Sequence, residues 1–379
     1  MDALMLPLNW QKVRLGDIGK PCMCKRVMKH QTTRYGEIPF YKIGTFGNTA
    51  DAFISKKLFL EYKTKYSFPK KGDILISASG TIGRAVIYDG KPAYFQDSNI
   101  VWIDNDETLV KNDFLFYAYS NVKWNTEHTT ILRLYNDNFR NTLIPLPPLN
   151  EQSAIANILS ALDRYLYALD ALILKKEGVK KALSFELLSQ RKRLKGFNQA
   201  WQRVRLGDIA NYSTSNLSVE QITQQGKIKV YDVNNFIGYT DTTFISDKPY
   251  ISIVKDGSVG RVRILPPKTN ILSTMGALIA NHRTTTEFLF YLLSNFDFKN
   301  FTSGSIIPHI YFKDYKEKTI FLPPLNEQSA IANILSALDN EIASLKNKKH
   351  QFENIKKALN HDLMGAKIRV LEKSVLQQK

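Results

Sequence analysis

In this chain of 379 residues, the side chains that could act in catalysis do not occur at the spacings of the catalytic motifs considered below. The sequence has no glycine-rich nucleotide loop, no histidine pair at metal-binding spacing and no Gly-x-Ser-x-Gly nucleophile turn. An adenine methyltransferase would carry Asn or Asp before Pro-Pro and an aromatic residue, whereas the Pro-Pro pairs here continue into Leu149, Leu325 or Lys268. Nuclease carboxylates follow no fixed spacing, and nothing in the sequence points to such a cluster. We therefore predict that the chain is not an enzyme.

Metal-binding and membrane-spanning residues are also missing from the sequence pattern. Cys22 and Cys24 are too close together for an ordinary disulfide, and His30 does not complete a zinc ligand set with them. The most apolar window, residues 157–174, is interrupted by charged side chains, and no secretory signal opens the chain. We expect a soluble, cytoplasmic protein that binds no metal or cofactor of its own.

The charge of the chain gives the first indication of a partner. With 52 Lys and Arg against 35 Asp and Glu, the formal net charge is +17, which favours a polyanion and salt-dependent binding. Nucleic acid, an anionic membrane or an acidic protein would each fit, and so would a merely basic surface. One group of residues is interpreted as phosphate contacts or as solvated charge: Lys42, Lys63, Lys65, Tyr66, Lys227 and Lys229.

Two glycine turns could bring the backbone close to a phosphate. Each has the pattern Gly-x-x-Gly-Arg, in which missing side chains let N–H groups approach an anion and the arginine adds charge. A simple hairpin turn is the alternative interpretation. In the second turn Asp256 replaces Ser79, and a carboxylate is unfavourable beside phosphate. The predicted DNA contacts in these turns are Ser79, Gly80, Thr81, Gly83, Arg84, Gly257, Ser258, Gly260 and Arg261.

A second pair of segments could distinguish one base from another. Thr129–Tyr135 and Ser305–Tyr311 alternate polar and apolar residues, and they place an arginine in one half where the other has a histidine. Arginine can donate two hydrogen bonds to guanine, whereas histidine offers a different pattern of donors and acceptors. Ordinary surface residues are the alternative interpretation. The DNA contacts predicted beyond the turns are Arg133, Tyr135, His309 and Tyr311, with Lys42 and Lys229.

These candidate residues belong to a chain that contains an internal duplication. Residues 146–163 and 322–339 share the eighteen letters LPPLNEQSAIANILSALD, and residues 10–18 and 201–209 differ at one position. Between these anchors the likeness is weaker but keeps its order. The second half lacks a segment resembling Lys57–Pro69, so we expect a loop or edge element to differ there. Nearly identical segments at the ends of each half, with dissimilar segments between them, are suited to two similar domains that present different recognition surfaces.

The divergent stretches have the pattern of mixed α/β domains. Short β-prone runs at 74–77, 85–88, 228–231 and 261–265 lie between Gly, Asp and Asn turns. Residues 114–121 and 288–295 are apolar on nearly all sides, which predicts a short buried helix in each half. The predicted fold class is α+β, with two tandem mixed α/β domains.

A long helix is predicted after each domain, where Asn150 or Asn326 follows the Pro-Pro pair and can cap it. Apolar residues then recur at alternating steps of four and three, the pattern of a coiled-coil seam. A helix of about 35 to 40 residues, roughly 55 Å, is too long to bury its stripe against one small domain. We therefore predict that the two helices pair as an antiparallel coiled coil. The seam residues are Ile155, Leu159, Leu162, Leu166, Leu169 and Ile173 in one helix, and Ile331, Leu335, Leu338, Ile342, Leu345, Phe352, Leu359 and Leu363 in the other. The predicted divisions are 1–149, first domain; 150–195, first helix; 196–325, second domain; and 326–379, second helix.

In this layout the chain resembles the specificity subunits of type I restriction-modification enzymes over essentially its whole length. The resemblance rests on the W-Q-x-V-R-L-G-D-I openings at Trp10 and Trp201, the turn Ser79–Gly83, both L-P-P-L-N-E-Q segments and the ending Leu363–Arg369. It implies two target recognition domains, held apart by an antiparallel pair of helices, that each read half of a split, asymmetric DNA site. Two major-groove readers on one face of DNA lie about one turn apart, on the order of 34 Å, which helices of this length can span.

The resemblance also implies partners. Modification subunits, expected to be two, would dock along the helices and use S-adenosylmethionine to methylate adenine, while restriction subunits would use ATP and Mg to translocate and cleave DNA. This chain would bind double-stranded DNA, no membrane and none of those cofactors. A coiled-coil scaffold for other proteins and a stand-alone DNA methyltransferase or nuclease are the alternative functions.

Overall fold

A computed structural model describes residues 9–128 and 132–370 and divides the chain into two compact units. The first unit comprises residues 1–168 and 349–379, and the second comprises residues 169–348. Each unit thus combines one mixed α/β domain with parts of both long helices. Thr129–Ile131, which begin the first predicted base-reading segment, lie outside the described residues, as do residues 371–379.

The first unit is built from short strands and short helices, followed by one long helix. Its strands are β1 (Gln11–Arg14), β2 (Gly19–Met23), β3 (Ile38–Tyr41), β4 (Phe53–Ile54), β5 (Ile74–Ser77), β6 (Ala85–Ile87), β7 (Tyr94–Phe95), β8 (Ile100–Asn105), β9 (Glu127–His128), β10 (Leu132–Arg133) and β11 (Leu143–Leu146). Its helices are α1 (Leu15–Ile18), α2 (Lys56–Lys65), α3 (Asn112–Tyr119), α4 (Asn136–Asn141) and the long α5 (Leu149–Leu188), which continues into the second unit.

Two sheets and two strand pairs organise this unit. The larger sheet has the order β2-β8-β5-β6 and is antiparallel, whereas the smaller sheet, β4-β3-β7, contains the parallel pair β3 and β7. Strand β1 pairs with β11, and β9 pairs with β10. The β1 and β11 pair joins the repeated opening of the half to the strand that leads into α5, so the two repeated ends of the domain meet.

The four-stranded sheet of the first unit is buried on both faces, which explains why its central strands are apolar at every position or nearly so. On β5, Ile74 and Ile76 face a core shared with α3 and the start of α5. Leu75 points the other way, into a core shared with the smaller sheet. On β8, Ile103 lies in the first of these cores and Trp102 lies in the second. Alternating side chains thus hold three layers together.

The second unit repeats this architecture. Its strands are β12 (Gln202–Arg205), β13 (Ala210–Thr214), β14 (Ile228–Tyr231), β15 (Phe236–Thr240), β16 (Tyr250–Val254), β17 (Val262–Leu265), β18 (Thr269–Ile271), β19 (Met275–Ala280), β20 (Thr302–Ser303), β21 (His309–Ile310) and β22 (Thr319–Leu322). Its helices are α6 (Thr286–Ser294), α7 (Phe312–Tyr315) and the long α8 (Leu325–Met364), which continues into the first unit. The sheet orders β13-β19-β16-β17 and β15-β14-β18 and the pairs β12 with β22 and β20 with β21 match the first unit strand for strand.

The first unit has a helix, α2, where the sequence predicted a difference, and its short α1 corresponds to a 3-10 turn, Leu206–Asp208, in the second unit. All of helix α2 except its first residue, Lys56, falls within the segment 57–69 that has no counterpart in the second half. Residues 241–249, which link β15 to β16, are all described and contain no helix. The predicted strands at 74–77, 85–88, 228–231 and 261–265 and the predicted short helices are confirmed by β5, β6, β14, β17, α3 and α6.

The ends of the long helices differ from the sequence prediction. Each helix begins at the leucine before the asparagine, so Asn150 and Asn326 lie in the first turn, where each side chain accepts a hydrogen bond from the next N–H. Helix α5 ends at Leu188 rather than at 195, because Gln190 adopts φ of 62° and Lys192 N–H returns to the Glu186 carbonyl. The prediction that the asparagines cap the helices is therefore wrong.

Helix α8 ends in the same way, at Met364. Ala366 has φ of 54°, and the N–H of Lys367 returns to the Asp362 carbonyl at 2.9 Å. Residues 365–370 are therefore not helical, and the predicted second helix is too long in the part that the structure describes.

Within each unit the two long helices run antiparallel. In the first unit, the rings of Tyr165 and Phe352 lie 4.7 Å apart, and Lys356 pairs with Asp163. The residue number therefore rises along one helix as it falls along the other. Seam residues Ile155, Leu159 and Leu363 are buried in the core of this unit.

The second unit contains the complementary parts of the same helices. Lys176 pairs with Glu341 at 2.7 Å and Lys346 with Glu177 at 2.6 Å. The seam residues of this unit are buried or half-buried: Leu169, Ile173, Ile331, Leu335, Leu338, Ile342 and Leu345. Leu162 and Leu166 in the first unit are half-buried, as are Phe352 and Leu359. The predicted antiparallel pairing is confirmed in each unit.

Among the described residues, no helix combines the length and the apolar character that crossing a membrane requires. Within the ranges 9–128 and 132–370, no three His, Cys, Asp or Glu side chains cluster as metal ligands would. Burial raises the pKa of the Cys24 thiol to about 12, so this cysteine stays protonated near neutral pH.

Candidate nucleic-acid interface

The two features predicted to contact DNA meet in each unit. The Gly-x-x-Gly-Arg sequence forms the turn between β5 and β6 in the first unit and between β16 and β17 in the second. A single antiparallel bridge joins Ser79 to Arg133 in the first unit and Asp256 to His309 in the second. Each turn therefore lies beside the strand that carries the predicted base-reading side chain. The alternative interpretation as a hairpin turn is correct for the backbone, and the contact with DNA remains a prediction.

In the first unit, the bridge is held by main-chain and side-chain hydrogen bonds. The Leu134 N–H donates to the Ala78 carbonyl at 2.9 Å. The buried Ser79 hydroxyl donates to Asn99 Oδ1 at 2.7 Å, so it is committed to the protein. Arg133 is half-buried and Tyr135 is exposed, which leaves part of both side chains facing solvent.

In the second unit, the same position is built from a histidine and an aspartate. His309 Nδ1 lies 2.7 Å from Asp256 Oδ1. Main-chain hydrogen bonds from Gly257 to Pro308 and from Ile310 to Lys255, both 2.9 Å, hold the strand against the turn. The carboxylate that was unfavourable beside a phosphate is thus directed towards histidine.

The two glycines of each turn have different roles. Gly83 and Gly260 adopt φ of 83° and 81°, and a Cβ at either would collide with an aromatic ring, Trp124 or Phe298. These second glycines are required for packing. Gly80 and Gly257 also have positive φ, but they are exposed, and a Cβ at Gly257 would meet nothing within 4 Å.

Several turn N–H groups that could have faced a phosphate are used inside the protein. Gly83 N–H donates to the Ser77 carbonyl and Gly260 N–H donates to the Val254 carbonyl, both at 2.9 Å. Gly257 N–H is also paired, as described above. The exposed apex residues Thr81 and Ser258 are better placed to reach an external partner.

The predicted basic contacts are exposed or half-buried, but some already have protein partners. Arg84 Nη1 donates to the Phe46 carbonyl at 2.9 Å, and Lys42 pairs with Asp51 at 2.8 Å. Lys229 lies over the Phe236 ring at 5.9 Å, while Arg261 is exposed. The remaining basic and aromatic candidates also contact the protein. Lys63 lies over the rings of Phe59 and Phe68, and Lys65 pairs with Glu61. Lys25 lies over the Tyr66 ring, and the backbone N–H of Lys227 donates to Asp241. Tyr311 is exposed beside His309.

A basic loop in the first unit was not singled out from the sequence. It follows β2 and exposes Lys25, Arg26, Lys29 and Arg34, of which Arg26 pairs with Asp97 at 2.8 Å. The corresponding loop of the second unit, residues 215–226, contains no Lys or Arg and contains one Glu. The sequence could have revealed this loop, because the two halves differ in local charge there.

In each unit, a buried glutamate near the start of a long helix contacts a tryptophan and an arginine. Buried Glu151 accepts a hydrogen bond from Trp10 Nε1 at 3.1 Å and pairs with Arg369 at 2.9 Å. In the second unit, the wholly buried Glu327 accepts from Trp201 Nε1 at 3.0 Å and pairs with Arg193 at 2.6 Å. The arginine comes from the segment just after the opposite long helix, so residues at distant positions in the chain assemble one structural cluster in each unit.

A second network ties the short buried helix of each domain to the long helices. Tyr117 donates to Asp163 at 2.7 Å, and Lys356 of α8 pairs with the same carboxylate. Burial and this hydrogen bond raise the pKa of Tyr117, so its hydroxyl remains a donor. In the second unit Tyr291, Asp339 and Lys180 make the same network. The repeated letters KKAL, at 180–183 and 356–359, could have revealed these lysines.

Comparison with known proteins identifies a matching family. The family model described as "Type I restriction modification DNA specificity domain" matches residues 7–176 and 198–354, in two copies. A putative type I restriction enzyme specificity subunit of Haemophilus influenzae is 64% identical over 148 residues, which span 39% of this chain and 38% of that protein.

Other relatives match nearly from end to end. The MjaVIII specificity subunit of Methanocaldococcus jannaschii is 25% identical across 98% of this chain and 95% of its own length. The putative MjaX specificity subunit of the same organism is 29% identical across 96% and 95%.

Solved structures share the fold. The S subunit of a type I restriction-modification system from M. genitalium superposes with a TM-score of 0.63, at 21% identity, over 95% of this chain and 98% of that chain. A chain from work on complex assembly and conformational transition of the type I restriction-modification system gives a TM-score of 0.58, at 17% identity, over the same shares.

Proposed function

Because this chain belongs to the type I restriction-modification DNA specificity family, we propose that it recognises a bipartite, asymmetric DNA site, with each unit reading one half. The chain is a specificity subunit, a non-catalytic component that recognises DNA sequence. What the proposal adds is the division of the site between the units and the identity of the residues that read it.

One observation carries the proposal. The two units share their sheet order, their glutamate networks and their tyrosine networks, but they differ at the bridge between the glycine turn and the reading strand. Ser79 lies opposite Arg133, whereas Asp256 lies opposite His309. Two copies of one scaffold with different side chains at the same place are suited to reading two different short sequences.

The division of labour follows from linked binding. Once one unit engages DNA, the second binds intramolecularly, so neither half-site needs high affinity on its own. The antiparallel helices α5 and α8 fix the spacing of the half-sites in this proposal. We assign the exposed faces of these helices to two modification subunits.

The chemistry is assigned to partner subunits. Modification subunits would supply S-adenosylmethionine and methylate adenine, and restriction subunits would supply ATP- and Mg-dependent translocation and cleavage. This chain would direct both reactions by selecting the site. The family membership supports this assignment, and so does the absence of a catalytic pattern in the sequence.

Methylation mapping tests the proposal. The full chain would be produced with its modification subunits in a host that lacks adenine methylation, and methylated adenines would be located by single-molecule sequencing. We expect one motif with two specified parts separated by an unspecified spacer, and its disappearance when this chain is omitted. A continuous motif, or no motif that depends on this chain, would overturn the proposal.

A further inference from the structure

The reading position of the second unit differs from that of the first at two residues rather than one. Where the first unit has a serine opposite an arginine, the second has Asp256 opposite His309. Arginine is a permanent donor, and it needs no partner to define its hydrogen-bonding character. Histidine does need one, because either ring nitrogen can carry the proton. An aspartate directly across from the histidine can therefore determine which ring nitrogen carries the proton.

The contact with Asp256 determines which nitrogen of the neutral His309 ring carries the proton. Nδ1 lies 2.7 Å from Asp256 Oδ1, and an ionised carboxylate can only accept a hydrogen bond. Nδ1 must therefore be the donor. In the neutral ring Nε2 is then an acceptor, and it lies on the side of the imidazole away from Asp256.

The surroundings of the ring hold it in this orientation. The Tyr311 ring stacks on His309 with centroids 6.4 Å apart and planes at 20°. Gly304 approaches so closely that a Cβ there would lie 3.0 Å from His309 Cδ2. The side chains of His309 and Asp256 are 35% and 29% exposed, so the pair is partly shielded but reachable from outside.

We propose that Asp256 is a positioning residue that makes His309 present a hydrogen-bond acceptor to the base it reads. This inference rests on the proposed function. An acceptor in the major groove pairs with the exocyclic amine of adenine or cytosine and is repelled by the O6 and N7 acceptors of guanine and by O4 of thymine. The counterpart, Arg133, can only donate and suits guanine. The two units thus read opposite hydrogen-bond polarity from one scaffold position.

Asp256→Asn tests the inference with almost no change of shape. The amide can donate to Nδ1, which moves the ring proton to Nε2 and turns the acceptor into a donor. We expect one position of one half-site to change from adenine or cytosine to guanine or thymine in the methylated motif. Affinity for the original site should fall about tenfold, and all other positions should be unchanged. His309→Ala should remove the preference at that same position.

A spectroscopic measurement on the free chain is independent of DNA. With selective ¹⁵N-histidine labelling, the signal that is lost in His309→Ala belongs to His309. We expect the wild-type spectrum to show Nδ1 protonated and Nε2 unprotonated, and Asp256→Asn to exchange the two. A ring with Nε2 protonated in the wild type would overturn the inference, even if the variant complex failed to assemble.

Asp247→Asn is the matched control, because Asp247 is an exposed acid of the same unit and the change removes the same charge. It should leave both the motif and the His309 spectrum unchanged. If the wild type directs a bipartite motif and Asp256→Asn leaves every base unchanged, the inference fails while the proposed function stands. If no motif depends on the chain, the proposed function fails, and the inference that rests on it fails with it.

Discussion

The two units place the same sheets, hairpins and networks around different side chains. Both contain a tryptophan, a buried glutamate and an arginine at the start of a long helix, and both contain a tyrosine, an aspartate and a lysine farther along it. They differ in helix α2, in the charge of the loop after the first strand of the large sheet, and in the bridge between the glycine turn and the strand predicted to read bases. Shared contacts are those that build each unit, and the divergent residues are mostly exposed or half-buried. This separation lets recognition change without loss of the fold.

The largest expected effect comes from the shared part, at the buried glutamate of the second unit. Arg193→Ala leaves Glu327 wholly buried without its countercharge, and we expect the unfolding free energy to fall by about 3–5 kcal/mol. Urea unfolding followed by ¹⁹F NMR of 5-fluorotryptophan measures this, since Trp201 gives the signal of the second unit.

The comparison between units sharpens that test. Arg369→Ala should destabilise the first unit in the same way, because Glu151 is only 3% exposed. The double variant R193A/E327Q should recover much of the loss, since a neutral amide needs no countercharge. A loss below about 1 kcal/mol in both single variants would contradict the structural role of the cluster.

The glycine turns give the next largest effect and separate packing from contact. Gly83→Ala must fit a Cβ against Trp124 at a positive φ, so we expect a loss of about 3 kcal/mol in unfolding free energy. Gly80→Ala carries only the backbone cost of about 1 kcal/mol. Thermal and urea unfolding of both variants measures the difference. Equal losses would contradict the different roles assigned to the two glycines.

The divergent basic loop gives the smallest effect, and it concerns binding rather than stability. Replacing Lys25, Lys29 and Arg34 together by Ala should lower the slope of log K against log salt by about 2 to 3, with about 0.9 for each lost phosphate contact. Arg26 is kept because it pairs with Asp97. Fluorescence anisotropy of the full chain on duplex DNA measures the slope.

The loop of the second unit supplies the control for this measurement. Gln224→Ala and Gln225→Ala alter the corresponding neutral loop and should leave the slope unchanged. A wild-type slope in the triple variant would show that the basic loop does not contact phosphate.

Sequence patterns predicted much of the fold because its strongest signals are local or repeated. Identical letters showed the duplication, the steps of four and three showed the helices, and apolar runs showed strands such as β5. The helix ends were predicted less well, since the left-handed residues Gln190 and Ala366 are not glycines and give no strong stop signal.

The candidate site was predicted in its parts but not in its assembly. The turn residue Asp256 and the strand residue His309 are far apart in the chain, and no local pattern indicates that they face each other. For that reason the aspartate looked unfavourable in the sequence and acquires a role only beside the histidine. The lysines at 180 and 356 were missed for a different reason, because their repeat is short and lies outside the eighteen shared letters.

The central claim is that each unit reads its own half-site, and an exchange of one recognition domain tests it most directly. Residues 1–145 of this chain would be replaced by the corresponding residues of a relative with a different motif, and the methylated adenines directed by the full complex would be mapped. The account predicts that one half of the motif changes while the other half and its spacing are retained. A change in both halves, or in neither, would contradict it.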